Sequence, residues 1–281
     1  MAVSKVTLNG TTLMDATSAT ATASEIISPY TAMTADGVMT TGTGSSGSGW
    51  TADGIADGSE PNGAITITYN GTIKNYAFAG CTGITSINAP NLTRLAERAF
   101  EGCTNLTSVS LPSVTGGGSY VFRNCSSLTS IILPSMTSTG GNFFNSSSIP
   151  IIVYPNVTKI SINGINSWTG HTVDLGSTCT ALDGYAFNSS ANLSTLILRR
   201  STAIVTMGNL SAMSSTKFKS GGEGGTIYIP KALYDHLGDG TALDYKSASN
   251  WSTFEGYGTI TWAKIEGSYY ETHYADGTPI S

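Results

Sequence analysis

Residues 99–112 read AFEGCTNLTSVSLP, and the chain repeats this stretch almost unchanged on either side. The copy before it is AFAGCTGITSINAP at 77–90, and the copy after it is VFRNCSSLTSIILP at 121–134, so the three copies begin at evenly spaced positions. A fixed period of this size is typical of a solenoid, in which each repeat is one coil and buries its apolar side only by stacking on its neighbours.

Equivalent positions of the copies form columns of one residue type. Because adjacent strands in such a stack lie about 4.8 Å apart, we expect each column to be a continuous ladder inside the core. The ladder positions are Phe78, Phe100, Phe122 and Phe144 for phenylalanine, and Cys81, Cys103 and Cys125 for cysteine.

The cysteine column raises the question of whether these thiols form a metal site, a redox site or part of the core. Structural zinc sites usually take their ligands in pairs such as CxxC, and no CxxC occurs in the chain. Cys179, the fourth cysteine, does not continue the even spacing of the other three. Since cysteine often packs as a small hydrophobic residue, the spacing predicts four reduced, structural thiols, with no metal and no cofactor.

The composition argues against two classes of partner. Charged residues make up 11% of the chain, against about 25% in typical globular proteins, and no cluster of Lys and Arg suggests nucleic-acid binding. No apolar run approaches the roughly 20 residues of a membrane-spanning helix. The first residues also show no apolar stretch of the signal-peptide type, which indicates either a trimmed chain or a protein that reaches the exterior without export.

The chain divides by composition into four parts. Residues 1–40 form a small β-rich module with tight turns at Asn9-Gly10 and Asp36-Gly37, and residues 41–49 are a Gly/Ser linker. The solenoid follows at 50–225, and residues 226–281 are a mixed α/β cap with an aromatic tail. Within the solenoid, residues 156–178 depart from the repeat and predict an irregular coil or insertion.

The cap has its own local pattern. TIYIP (226–230) and GTITWAKI (258–265) predict strands, whereas KALYDHL (231–237) and ALDYKSASNW (242–251) predict short helices. A solenoid needs such an end segment because its last coil would otherwise expose its apolar side.

The repeated AFxGCTxLTSIxLP unit resembles the BspA-type leucine-rich repeats, the Treponema pallidum class, over roughly residues 73–210. This resemblance implies a mainly β leucine-rich-repeat solenoid with coils of about 22 residues and a parallel sheet along one side. It also implies a protein that binds other molecules and is not an enzyme.

A second resemblance concerns TLMDATSATATASEIISPYTAMTADGVMTTGT, residues 12–43, which is similar to short modules of phage tail and fibre proteins. It implies a virion structural protein, such as a tail fibre, that is assembled in the host cytoplasm. The N-terminal module would then dock to other virion proteins, and the chain would form a homo-oligomer, for which a trimer is the usual fibre arrangement.

The acidic residues argue against a glycan-cleaving solenoid. Glycosidases place two carboxylates about 5–9.5 Å apart across the scissile bond. Between residues 77 and 160 the acids are Glu97 and Glu101, and they lie beside Arg94 and Arg98. The chain also contains no GxSxG nucleophile motif. The sequence therefore predicts no catalytic residue.

Aromatic and polar side chains suggest a binding surface for a host-surface glycan or protein. The predicted ligand-binding residues are Trp168 and His171, expected to be exposed in the irregular segment, and Tyr269 and Tyr270 in the tail. A bacterial cell-surface adhesin with the same repeat and a glycan-cleaving tailspike remain the alternatives to a virion protein.

Overall fold

The computed structural model describes residues 61–265 and, before them, the backbone of four short strands. Strands β1 (Lys5–Leu8) and β2 (Thr11–Asp15) pair antiparallel, as do β3 (Thr31–Met33) and β4 (Met39–Thr41). These pairs flank the two predicted tight turns, so the β-rich character of the N-terminal module is confirmed. The aromatic tail lies outside the described residues, and so does the predicted linker except for Thr41 in β4.

From residue 61 onward the chain winds through a succession of short strands. In chain order these strands are β5 (Gly63–Thr66), β6 (Gly71–Ile73), β7 (Ile84–Asn88), β8 (Leu92–Leu95), β9 (Ser108–Ser110), β10 (Gly116–Gly117), β11 (Ser130–Ile132), β12 (Ile151–Tyr154), β13 (Lys159–Ile160), β14 (Thr172–Leu175), β15 (Ala181–Leu182), β16 (Thr195–Leu198), β17 (Thr206–Met207), β18 (Gly225–Pro230) and β19 (Ile260–Ile265). A 3₁₀ turn at Leu210–Ala212 and the helices α1 (Lys231–Tyr234) and α2 (Trp251–Gly256) complete the described elements.

The strands assemble into wide and narrow parallel sheets. The wide side of the solenoid contains two sheets, in the orders β11-β9-β7-β5 and β12-β14-β16-β18-β19. The narrow side contains β10-β8-β6 and β13-β15-β17. All of these pairings are parallel, and Ile87 pairs with Val109 one repeat later. The predicted mainly β solenoid with coils of about 22 residues is confirmed.

The phenylalanine ladder lies in the turn that connects each narrow strand to the next wide strand. The ring centroids of Phe78 and Phe100 lie 5.5 Å apart, those of Phe100 and Phe122 also 5.5 Å, and those of Phe122 and Phe144 5.9 Å, all in stacked orientation. These distances lie within the range that aromatic pairs favour. The turn passes through the left-handed region two positions before each ring, as at Tyr76, where φ is 59°.

The core is a continuous set of apolar columns. On the wide strands alternate residues point inward, because successive side chains in a strand point to opposite faces. One inward column contains Ile65, Ile87, Val109, Ile152, Val173, Leu196 and Ile227, all buried. Every coil therefore adds one layer to the same core, which explains why these positions are apolar in each repeat.

Residues 156–178 form one coil of the solenoid and keep its strands. Strand β13 pairs with β15, and β14 pairs with both β12 and β16. Ile165 takes the phenylalanine position between Phe144 and Phe187, one place earlier than the spacing of Phe122 and Phe144 would put it. Of the two predicted alternatives, an irregular coil and an insertion, the structure shows the first, because the spacing is one residue short and the strands are kept.

The cap extends the wide sheet, since β18 and β19 pair parallel to each other and β18 pairs with β16. The predicted second helix is wrong: residues 242–250 are turns, and α2 begins at Trp251. The cause is the carboxylate of Asp244, which accepts backbone N–H groups from Gly238, Gly240 and Lys246 and so holds this segment in turns. Among the described residues no helix is both long and apolar enough to cross a bilayer.

Candidate ligand-binding face

The outward side of the second wide sheet is lined by small hydroxyl side chains; we call it the outer sheet face. Because residues alternate along a strand, the neighbours of the inward column point away from the core. One outward row contains Thr172, Thr195, Thr226 and Thr261, which are paired in register on four adjacent strands. The parallel row contains Val153, Asp174, Ile197, Tyr228 and Ala263.

The first wide sheet presents a similar outward surface. Ser86 pairs with Ser108, and Asn88 pairs with Ser110. Ser86 and Asn88 are buried although they face away from the core. Small side chains in register shield one another in this way.

An ion pair occupies the centre of the outer sheet face. Nε and a terminal nitrogen of Arg199 donate to the two carboxylate oxygens of Asp174, both at 2.8 Å. Asp174 is almost fully buried, and only 19% of the Arg199 side chain is exposed. Burial raises the pKa of the Asp174 carboxyl, and the guanidinium of Arg199 opposes this rise. Both carboxylate oxygens of Asp174 therefore accept a hydrogen bond from Arg199.

His171 lies beside this face, at the beginning of β14. Its side chain is exposed, and Nδ1 lies 2.7 Å from the hydroxyl of Thr172. Among the predicted ligand-binding residues, His171 is therefore placed where a partner on the outer sheet face could reach it.

Trp168 is buried with an exposed fraction of 1%, and its indole N–H donates to the carbonyl of Ile149 at 2.7 Å. The prediction that this indole is exposed for ligand binding is wrong. The physical reason is its register: Trp168 takes the position of the cysteine column, and its backbone N–H donates to the hydroxyl of Ser190 in the next coil. The other two predicted ligand-binding residues, Tyr269 and Tyr270, lie outside the described residues.

The cysteine column lies in the core. Cys81, Cys103, Cys125 and Cys179 are buried, and none of them forms a disulfide. The thiol of Cys125 donates to the carbonyl of Phe100 in the preceding coil at 3.2 Å. Burial raises the pKa of Cys125 to about 12 and that of Cys179 to about 11. These thiols are therefore protonated and unreactive at neutral pH.

Another charged cluster lies on the turn that contains the phenylalanine ladder. Glu101 forms ion pairs with Arg98 and Arg123, and the guanidinium of Arg98 lies 4.7 Å from the ring centroid of Tyr120. Within residues 61–265, no group of three or more potential metal ligands comes together. The cluster holds adjacent coils together by charge and stacking.

Sequence reasoning missed the threonine row and the Asp174–Arg199 pair. A signal for the row was present, because TVDL, TLIL, TIYI and TWAK each begin with the hydroxyl residue that faces outward. The ion pair joins two different coils, and it becomes visible only when the shortened coil is placed in register.

Comparison with known proteins agrees with this architecture. Residues 63–170 match the family model described as BspA type leucine rich repeat region, in six copies. None of the curated proteins matches the chain. The repeats at 63–170 are thus similar to those of BspA-type proteins.

Similar solved structures include three bacterial proteins. A leucine rich repeat protein of T. pallidum is 19% identical, with 53% of this chain and 74% of that chain covered and a TM-score of 0.44. One from Bacteroides ovatus is 13% identical over 72% and 70% of the two chains, with a TM-score of 0.29. A leucine rich cell surface protein of Faecalibacterium prausnitzii is 15% identical over 61% and 73%, with a TM-score of 0.24.

Proposed function

We propose that this protein is a non-enzymatic adhesion protein of the bacterial cell surface, which binds a glycan or protein through the outer sheet face of its solenoid. The observation that carries the proposal is the in-register row Thr172, Thr195, Thr226 and Thr261 on a parallel sheet, in which Thr172 is buried and the other three are half-buried or exposed. Regularly spaced hydroxyls on a sheet can form hydrogen bonds to a partner without any reordering of the protein. The BspA-type repeats support a location on the cell surface.

The chemistry of the face supports binding over catalysis. Asp174 is the one carboxylate that the outer sheet face has among the described strands. Arg199 neutralises it by donating to both of its oxygens. A glycosidase would need a second carboxylate within about 9.5 Å of the first. Weak contacts to single hydroxyls would gain strength when many copies of the chain act together on one surface.

A substitution on the face tests this role. Thr226→Arg places a long charged side chain in the middle of the hydroxyl row, whereas Ser201→Arg adds the same charge in an exposed loop. On arrays of glycans and extracellular-matrix proteins, we expect Thr226→Arg to lose the wild-type signals and Ser201→Arg to retain them. Equal binding by both variants would refute the outer sheet face as the binding surface.

A phage virion protein is the second candidate, favoured by the resemblance of residues 12–43 to tail and fibre modules. In that case the N-terminal module docks to the particle, the solenoid faces the host, and the chain oligomerises. Mass spectrometry of purified DNA-containing particles and of bacterial envelopes distinguishes the two. Enrichment in envelopes supports the adhesin, and tens of copies per particle would support the virion protein.

A further inference from the structure

The cap contains an open pocket of ≈ 370 Å³ on the side of the sheet opposite the outer sheet face. It is lined by Tyr234, Leu237, Lys246, Glu255, Ile260 and Trp262. Trp262 follows Thr261 in β19, and neighbouring residues of a strand point to opposite faces. The pocket volume falls at the small end of the range for ligand sites, about 300–1,000 Å³.

Trp262 forms one wall and is held in place by other aromatic rings. Its ring centroid lies 5.3 Å from that of Tyr245 and 6.1 Å from that of Trp251, both of which are buried. The indole N–H donates to Oε2 of Glu255 at 2.7 Å. The half-buried indole is thus a fixed apolar platform whose polar atom is already satisfied.

The polar groups of the pocket are also fixed in position. Nζ of Lys246 lies 2.9 Å from Oε1 of Glu255. Each carboxylate oxygen keeps a second lone pair, and the ammonium group keeps further N–H donors. Hydrogen bonds of ligand hydroxyls to such charged groups are stronger than those between neutral partners.

We propose that this pocket binds a single pyranose sugar ring. A pyranose has an apolar C–H face, which fits the platform of Trp262, and a rim of hydroxyls that both donate and accept, which fits Glu255 and Lys246 together. A purely apolar ligand would leave the Lys246–Glu255 pair without compensation for lost water. A simple anion would be repelled by the negative carboxylate of Glu255.

The test uses the full chain and three sugars: D-glucose, D-galactose and N-acetyl-D-glucosamine. We expect at least one of them to change tryptophan fluorescence in a saturable way and to show saturation-transfer NMR signals strongest on the C–H protons of one ring face. Glu255→Gln keeps the shape of the side chain, and we expect it to weaken the binding of this sugar about tenfold.

Lys231→Ala is the matched control, because Lys231 forms an exposed ion pair with Asp235 on the same cap and does not line the pocket. We expect this variant to bind the sugar as the wild type does. The absence of a saturable response to all three sugars, or wild-type affinity in a folded Glu255→Gln variant, would overturn the proposal. Thr226→Arg should leave this sugar binding intact. The experiments can therefore refute the pocket proposal and the proposal for the outer sheet face independently.

Discussion

The thiol of Cys103 donates to the carbonyl oxygen of Phe78 at 3.2 Å, and this contact joins one coil to the next. Ser190 makes the equivalent contact to the carbonyl of Ile165 at 2.8 Å. The carbonyl of Phe78 also accepts the backbone N–H of Cys81 at 3.2 Å, so the side chain in the column adds a second hydrogen bond, which comes from the next coil. Cysteine and serine can both donate it, whereas Trp168 in the same column donates to Ile149 instead.

Cys103→Ala removes the donor and a buried sulfur atom. We expect the free energy of unfolding to fall by about 2 kcal/mol, whereas Cys103→Ser, which keeps a donor, should lose less. Urea unfolding at pH 7 measures both differences. Equal losses would show that the volume of the sulfur matters and the hydrogen bond does not.

The buried thiols also predict how stability depends on pH. Their folded pKa values, about 12 for Cys125 and about 11 for Cys179, lie above the value of about 8.5 expected in the unfolded chain. The unfolded state therefore loses protons first as the pH rises. The stability that the protonated thiols contribute is complete below pH about 8.5 and is lost progressively above it.

Between pH about 8.5 and 10 we expect the free energy of unfolding to decrease, by up to ~1.4 kcal/mol per pH unit for each thiol. Cys179→Ser should remove part of this slope, which urea titrations at several pH values would show. A slope that is unchanged in Cys179→Ser would contradict the assignment of the effect to this thiol.

Gly176 marks a close approach between neighbouring coils. A Cβ atom at this position would lie 1.8 Å from the carbonyl oxygen of Pro155. Gly176→Ala must therefore push two coils apart, and we expect a loss of about 3 kcal/mol or more. Gly256→Ala is the control, because its Cβ would meet no atom within 4 Å. Similar melting temperatures for the two variants would contradict the close packing at Gly176.

The repeat at residues 77–134 was sufficient to predict the solenoid. Phenylalanine and leucine recur there at a constant interval, and identical spacing forces identical positions in successive coils. The phenylalanine stack follows directly, because rings at the same position of adjacent coils lie one strand spacing apart.

Trp168 shows where sequence reasoning failed. Its coil is one residue short, and it has tryptophan where its neighbours have cysteine or serine, so the column was not recognised. A large aromatic residue in an irregular segment then suggested an exposed site. Only the three-dimensional register shows that the indole fills the core and that Asp174 meets Arg199.

The Asp174–Arg199 pair gives the last prediction. Arg199→Met leaves a buried carboxylate without its guanidinium, and we expect it to cost about 3 kcal/mol at pH 7. Lys159→Met is the control, because it breaks a pair with Asp183 in which the lysine side chain is 52% exposed. Exposed pairs contribute about 0–1 kcal/mol, so this variant should remain close to the wild type.

The cost of Arg199→Met should depend on pH. Without the guanidinium, the pKa of the Asp174 carboxyl rises further above its unfolded value of about 3.9, because burial is then unopposed. A raised folded pKa means that stability is retained at low pH and lost as the pH increases. We therefore expect the deficit to be small near pH 4 and large near pH 7, as measured by urea unfolding at both values. A deficit that is the same at both would mean that Arg199 stabilises the outer sheet face by packing and not by its charge.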